Sequence, residues 1–374
     1  MGTRITTSEI FGRRVFAKRA ARRGEGFNVG LLLPASGAMG LLGPSAYACA
    51  QLGCEMWNDA GGVQGEPVRL TVLDSGESSP DLHPELDRLL AMGELDALVA
   101  LCNTDVCQRV SRIVDSRVPL MFTPQFEGGG LPSWVHAFGE TPDRQLLPAL
   151  DWMTQRYRTR RWYLLGSDYC WPRRAHAAAV GHLKSAGAQV VGESYVPLGE
   201  RDFEPVLEHI GRSRADAVLL TLIGSDAVHM CRAFGAAGLS DRVLRLSICV
   251  EENALLGMGY ANTAGMFASA GYFASVDSDA NGAFKERYHA RFGARAPALN
   301  SQAQSVYEGF VHLQRQTQTP RTGRALRDGS VLDSVRAARP RRSQAEPSRD
   351  NPIYLAEAQG MTMRVIQSLA GARG

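Results

Sequence analysis

The residues best suited to chemistry lie in short loops after apolar runs: Ser36 in PASGA, Cys102 and Thr104 in CNT, Pro124 and Gln125 in TPQFEG. Later loops add Tyr169 and Trp171 in GSDYCWP, Asp226 in IGSD and Glu251 in ICVEE. Small hydroxyls beside the backbone N–H groups of a helix start suit a carbonyl or carboxylate oxygen. Phe122, Tyr169 and Trp171 offer flat walls to a small neutral or weakly polar body. Asp168, Asp226, Glu251 and Glu252 are carboxylates that could meet an ammonium group or accept from an amide NH₂. All of this is the chemistry of holding a ligand. The chemistry of transforming one has no comparable sign: the chain lacks a G-x-G-x-x-G, a G-x-x-x-x-G-K-[ST], a G-x-S-x-G, an H-E-x-x-H and a calcium-loop pattern. The eight histidines are dispersed, and the steps Cys49/Cys54 and Cys102/Cys107 do not have metal-site spacing. A non-catalytic protein with no metal and no cofactor is expected.

The elements that must position these loops read clearly. From Phe27 onward short apolar runs alternate with amphipathic stretches, the pattern of β-α-β units around a parallel sheet. Strands are expected at 27–33, 68–73, 97–101, 119–122, 161–165, 189–195, 217–222, 244–247 and 266–273. Helices are expected at 44–60, 82–92 capped by Asp81, 105–115 capped by Thr104, 173–186, 203–213 and 227–237. Val306, Phe310 and Leu313, spaced four and three apart, mark one more. The rhythm falls in two sets, 27–125 and 160–250, separated by the less regular 126–143, so two similar α/β lobes are expected. In open α/β sheets ligands sit at the carboxyl ends of the strands, which is where the loops named above fall.

Composition adds limits. The 374 residues are 44% hydrophobic and 21% charged, an ordinary globular balance. The net charge of +3 is concentrated in residues 1–26, where Arg4, Arg13, Arg14, Lys18, Arg19, Arg22 and Arg23 face only Glu9 and Glu25. The remainder is slightly acidic, and no direct contact with nucleic acid or membrane is expected. Arg13-Arg14 looks like a twin-arginine export signal, but no apolar stretch of roughly 7–15 residues follows before the first strand. That, with an odd number of cysteines, seven, points to a cytoplasmic location, with export as the alternative. The Arg-rich 315–342 reads as a long solvated loop or a partly disordered segment.

The stretch VGLLLPASGAMGLLGPSAYACAQLGCEMWNDAGGVQGEPVRLTVLDSG resembles the opening of the type I periplasmic-binding-protein family. MFTPQFEG, LLGSDYCWPRRAH and GYFASVDSD continue the likeness, which covers roughly residues 27–313. The implied fold is α/β, two Rossmann-like lobes with parallel sheets joined by a three-segment hinge. Its expected division is a basic tail at 1–26, one lobe at 27–139 plus about 272–335, and the other at 140–271 plus about 336–374. NPIYLAEAQG at 351–360 looks like the family's closing strand pair. The GSDYCWP element is similar to a branch holding the amide-sensing regulator of the aliphatic amidase operon and the urea and short-chain-amide binding proteins of ABC transporters.

By that resemblance the pocket uses Cys102, Thr104, Phe122, Pro124, Tyr169 and Trp171, with Tyr272 added from GYFASVDSD. The family often has Tyr where this chain has Cys102, Phe122 and Trp171, which implies a more apolar pocket and a bulkier or more hydrophobic amide. The expected function is a small-amide sensor that regulates an amide- or nitrile-degrading operon, encoding an amidase or a nitrile hydratase. Lobe closure would act through a transcription antitermination or activator protein, and a homodimer is implied. The alternative is the solute-binding subunit of an ABC transporter for amides, urea or branched-chain amino acids.

Overall fold

The computed structural model describes residues 26–76, 81–318, 332–336 and 351–370. The expectations placed on residues 1–25, 319–331 and 337–342 lie outside the described residues.

The first lobe begins with β1 (Phe27–Leu33), α1 (Gly43–Asp59), β2 (Val68–Asp74), α2 (Leu82–Met92), β3 (Ala97–Ala100), α3 (Thr104–Val114), β4 (Leu120–Phe122) and β5 (Val135–Ala137). Its sheet runs β2-β1-β3-β4-β5, parallel at every pairing. Central strands of such a sheet are buried on both faces and so read as continuous apolar runs. FNVGLLL and ALVA do this, with every residue but Asn28 buried.

The second lobe holds α4 (Pro142–Gln145), α5 (Leu147–Tyr157), β6 (Arg161–Ser167), α6 (Cys170–Ser185), β7 (Gln189–Val196), α7 (Glu204–Ser213) and β8 (Ala217–Thr221). It continues with α8 (Gly224–Ala236), β9 (Leu244–Ser247), α9 (Glu252–Met258) and β10 (Met266–Ala270). The chain then returns to the first lobe as α10 (Asp279–Phe292) and α11 (Ser301–Gln318), whose Phe284, Tyr288 and Phe310 share a core with Phe27 and Trp57. The last hairpin, β11 (Ile353–Gln359) and β12 (Thr362–Ala370), adds antiparallel strands to a sheet of order β12-β11-β10-β9-β8-β6-β7.

The chain therefore crosses between lobes after β5, after β10 and between α11 and β11. A single buried ion pair ties the crossings together. Glu140 Oε1 in the first lies 3.0 Å from Arg336 Nη1 in the third, with the side chains only 6% and 5% exposed. Gly271, in the second, passes so close that a Cβ there would stand 1.9 Å from Glu140 Oε1 and 2.7 Å from Arg336 Nη1.

Some local expectations are corrected. The strand expected at 266–273 ends at Ala270, so Tyr272 lies beyond it in the second crossing. The cap of α3 is Asn103, whose side chain accepts from Val106 N at 2.8 Å, while Thr104 is the first helical residue. Residues 351–360 hold one strand of the closing pair, and its partner β12 follows them.

Candidate functional site

The carboxyl ends of both sheets face one another across a cleft with a cavity of about 30 Å³. Lobe 1 contributes Met39 and Leu42 from the 3-10 turn after β1, Cys102, Asn103 and Thr104 at the start of α3, and Pro124 and Gln125 after β4. Gln302, in the first turn of α11, completes that side. Lobe 2 contributes Tyr169 and Trp171 at the start of α6, Ile223 and Gly224 at the start of α8, and Cys249 after β9. None of these side chains is charged. Three helices, α3, α6 and α8, begin at the cleft, and their N-terminal partial positive charge suits a neutral carbonyl oxygen.

Hydrogen bonding within the site leaves two groups over. Gln302 Nε2 donates to Gln125 Oε1, and Gln125 Nε2 donates across the lobes to Ile248 O at 3.0 Å. Gln302 Oε1, an acceptor, and Trp171 Nε1, a donor, are buried with no protein partner among the described residues. Buried polar groups are rarely left so, and these two belong to residues that line the cleft, so their hydrogen-bonding capacity becomes available where the lobes part. Tyr169 and Trp171 stack with centroids 6.4 Å apart at 20°.

The lobes touch on both sides of this cavity. Asn253 Nδ2 donates to Leu41 O at 3.2 Å, and a Cβ at Gly224, whose φ is +54°, would stand 2.0 Å from Ala38 O. Opposite, Cys170 Sγ on α6 lies 3.1 Å from Asp105 Oδ1 and 3.2 Å from Glu127 Oε1 and can donate its one proton to either, and Thr104 Oγ1 donates to Glu127 Oε2 at 2.9 Å. Burial first, and then those two carboxylates, push the Cys170 thiol well up, so it stays protonated and can donate.

Of the residues singled out in the sequence, Cys102, Thr104, Pro124, Gln125, Tyr169 and Trp171 line the cavity together. The other seven do not. Asp168 pairs with Arg173 at 2.6 Å, and Glu252 accepts from Ala274 N at 2.7 Å. Ser36 turns its hydroxyl to Asp74 Oδ2 at 2.8 Å. Phe122, 1% exposed, packs into the lobe 1 core with Val106, Cys107 and Val110. Asp226 accepts from Gly199 N at 2.9 Å and stabilises a loop of its own lobe. Glu251 is buried and accepts from Gln302 N at 3.2 Å, and Tyr272 donates to Asn281 Oδ1 at 2.8 Å. Glu251 thus supports a lining residue without lining the cleft. Gln302, Met39 and Leu42 were not among the residues singled out. Met39 and Leu42 directly follow the first loop, whereas nothing local marks Gln302, which reaches the cleft through the packing of α11 on the sheet.

One arrangement imitates a catalytic relay. Thr221 Oγ1 lies 2.8 Å from His176 Nε2, and His176 Nδ1 lies 3.2 Å from Glu193 Oε1. Thr221 and His176 are fully buried, and burial foremost lowers the imidazole to about 4, which keeps it neutral. Neither lines the cleft, so the relay reads as packing within lobe 2. Among the described residues no group of three or more His, Cys, Asp and Glu side chains could hold a metal ion, and no helix is long and apolar enough to cross a membrane.

Two α/β lobes joined by three crossings around a neutral cleft define a ligand-binding protein of the two-lobe, hinged class. Residues 26–343 match the family described as periplasmic binding protein, and the chain belongs to that family. Similar solved structures include a solute-binding protein of an ABC transporter from R. palustris in complex with 4-hydroxybenzoate, 19% identical over 92% of this chain and 98% of that one, with a TM-score of 0.73. A fatty acid ABC transporter substrate-binding protein from Thermomonospora curvata is 16% identical over 93% of each chain, with a TM-score of 0.76. The branched-chain amino acid transporter substrate-binding protein from Streptococcus pneumoniae, in complex with isoleucine, is 12% identical over 91% of this chain and 99% of that one, with a TM-score of 0.72. At these identities the likeness is one of fold.

Proposed function

We propose that this chain is a solute-binding protein whose cleft, at about 30 Å³ too small for more than a water or two as the lobes stand, opens to take a small neutral amide, and that it serves as the ligand-binding subunit of an ABC importer. The observation that carries the ligand class is the pair of buried atoms left over in an uncharged cleft, Trp171 Nε1 as donor and Gln302 Oε1 as acceptor. An amide offers the complement, a carbonyl oxygen and N–H groups, without net charge. A carboxylate would meet the three helix N-termini but no cationic side chain in the lining, and the ammonium of an amino acid would meet no carboxylate there. The importer role is supported by the solved structures of the same fold, which are solute-binding proteins of transporters.

A second reading, an amide sensor acting on a transcription antitermination or activator protein, is favoured by one observation. All seven cysteines are free thiols and five are buried, a set suited to a reducing compartment. Cell fractionation separates the two: mature protein outside the cytoplasmic membrane supports the importer, and protein retained in the cytoplasm supports the sensor. The ligand class is tested by calorimetric titration with butyramide. Binding should occur, and Trp171→Phe, which keeps the ring and loses the donor, should weaken it by on the order of 1–3 kcal/mol. Unchanged affinity would show that the indole N–H does not meet the ligand.

A further inference from the structure

A second, larger cavity of about 420 Å³ adjoins the cleft, sharing Thr104 with it, beneath α3 and the loop from β4 to β5. Its volume falls within the ~300–1,000 Å³ typical of small-molecule sites. Its character is unlike that of the cleft. Phe122, Phe126, Leu131 and Val135 form its apolar side, with Leu131 the most open of them and the other three nearly covered. Two arginines complete it, Arg112 from α3 in lobe 1 and Arg174 from α6 in lobe 2. Both are exposed, and among the described residues neither guanidinium has an ion pair or hydrogen bond. Nearby arginines are engaged: Arg173 donates to Asp168 at 2.6 and 2.9 Å, and Arg117 to Asp87 at 2.8 Å. One carboxylate, Glu127, is also in the wall; Thr104 Oγ1 donates to its Oε2 at 2.9 Å, and its single negative charge is outnumbered by the two guanidinium groups. Two unengaged cations beside an apolar side are the complement of a molecule with a short hydrocarbon body and an anionic end.

We propose that this cavity is a second binding site, for an amphipathic carboxylate whose hydrocarbon part lies on Phe122, Phe126, Leu131 and Val135 and whose carboxylate is met by Arg112 and Arg174. Its ligand is distinct in charge from the neutral amide assigned to the cleft, so the two sites can be occupied together.

The test is calorimetric titration of the full chain with octanoate, in the presence of saturating butyramide. Octanoate should bind, and Arg112→Gln and Arg174→Gln should each weaken it about tenfold or more while leaving butyramide affinity unchanged. Ser111→Trp, which places a large ring in the cavity from a half-exposed position on α3, should abolish octanoate binding. No octanoate binding at millimolar concentration would overturn the proposal. So would an affinity indifferent to both arginine substitutions, or octanoate binding that butyramide displaces and Trp171→Phe weakens, since that would put octanoate in the cleft. Octanoate binding with the expected arginine dependence, in a protein that ignores butyramide, would support this site and refute the reading of the cleft.

Discussion

The cleft and the hinge beside it solve the problem of burying polar groups in opposite ways. The cleft is lined by amides, small polar groups and aromatic rings, with no charged side chain. The hinge buries Glu140 and Arg336 as an ion pair, and two further carboxyls, Glu251 and Glu252 at the start of α9 in lobe 2, are buried beside it, one of which bonds to a cleft residue. A charge can be buried where its partner is covalently part of the fold and always present. In the cleft the partner comes and goes, and neutral donors and acceptors cost less when left empty. Charge thus sets how the lobes are joined, and neutral groups read what lies between them.

The sharpest way to break this contrast is to strip the hinge pair of one member. Arg336→Ala leaves Glu140 buried and unpaired and should cost about 3–5 kcal/mol in urea unfolding, with part recovered on adding Glu140→Gln. A loss below about 1 kcal/mol would mean that the pair does not hold the crossings. The two carboxyls at the start of α9 predict a pH dependence. Burial first, then Glu252, raises Glu251 to about 8, and burial raises Glu252 to about 7. Both groups hold protons in the folded chain that they would lose when unfolded. Stability should therefore fall as pH rises from the ordinary glutamate range, near 4.5, toward 7–8, and their contribution should level off above it. Each shifted unit corresponds to about 1.4 kcal/mol, and Glu251→Gln should flatten much of the slope in thermal melts across that range. The smallest effect on stability, and a clear one on binding, belongs to Gly224→Ala. The added Cβ meets Ala38 O at the edge of the cleft and sits at a left-handed φ. Strain of roughly 1 kcal/mol is expected in unfolding, with butyramide affinity reduced about tenfold because the lobes cannot fully meet. Equal affinity would show that this contact is not part of closure.

Much of this was legible in the sequence, for physical reasons. Strands buried on both faces announce themselves, as FNVGLLL does, and the loops after them carry the binding groups because the sheet's carboxyl ends are where a ligand can reach. Periodicity failed where the fold supplies the context. β5 is three residues long, and α10 buries only Asn281, Phe284 and Tyr288, too sparse a stripe to stand out. Loop position alone does not tell a residue facing the cleft from its neighbour facing the core. Phe122 at the end of β4 and Pro124 two residues on have different fates, and Asp226 points into its own lobe although Gly224 lines the cleft. Gln302 was out of reach because it enters the cleft from an element distant in the chain.

The central claim, that the cleft reads a neutral amide, is tested most directly by competition between isosteres. Protein loaded with butyramide is titrated with butyrate, which has the same size and shape but carries a charge. The uncharged lining predicts that butyrate fails to displace butyramide unless present in at least about tenfold excess. Displacement at equal concentration would contradict the account.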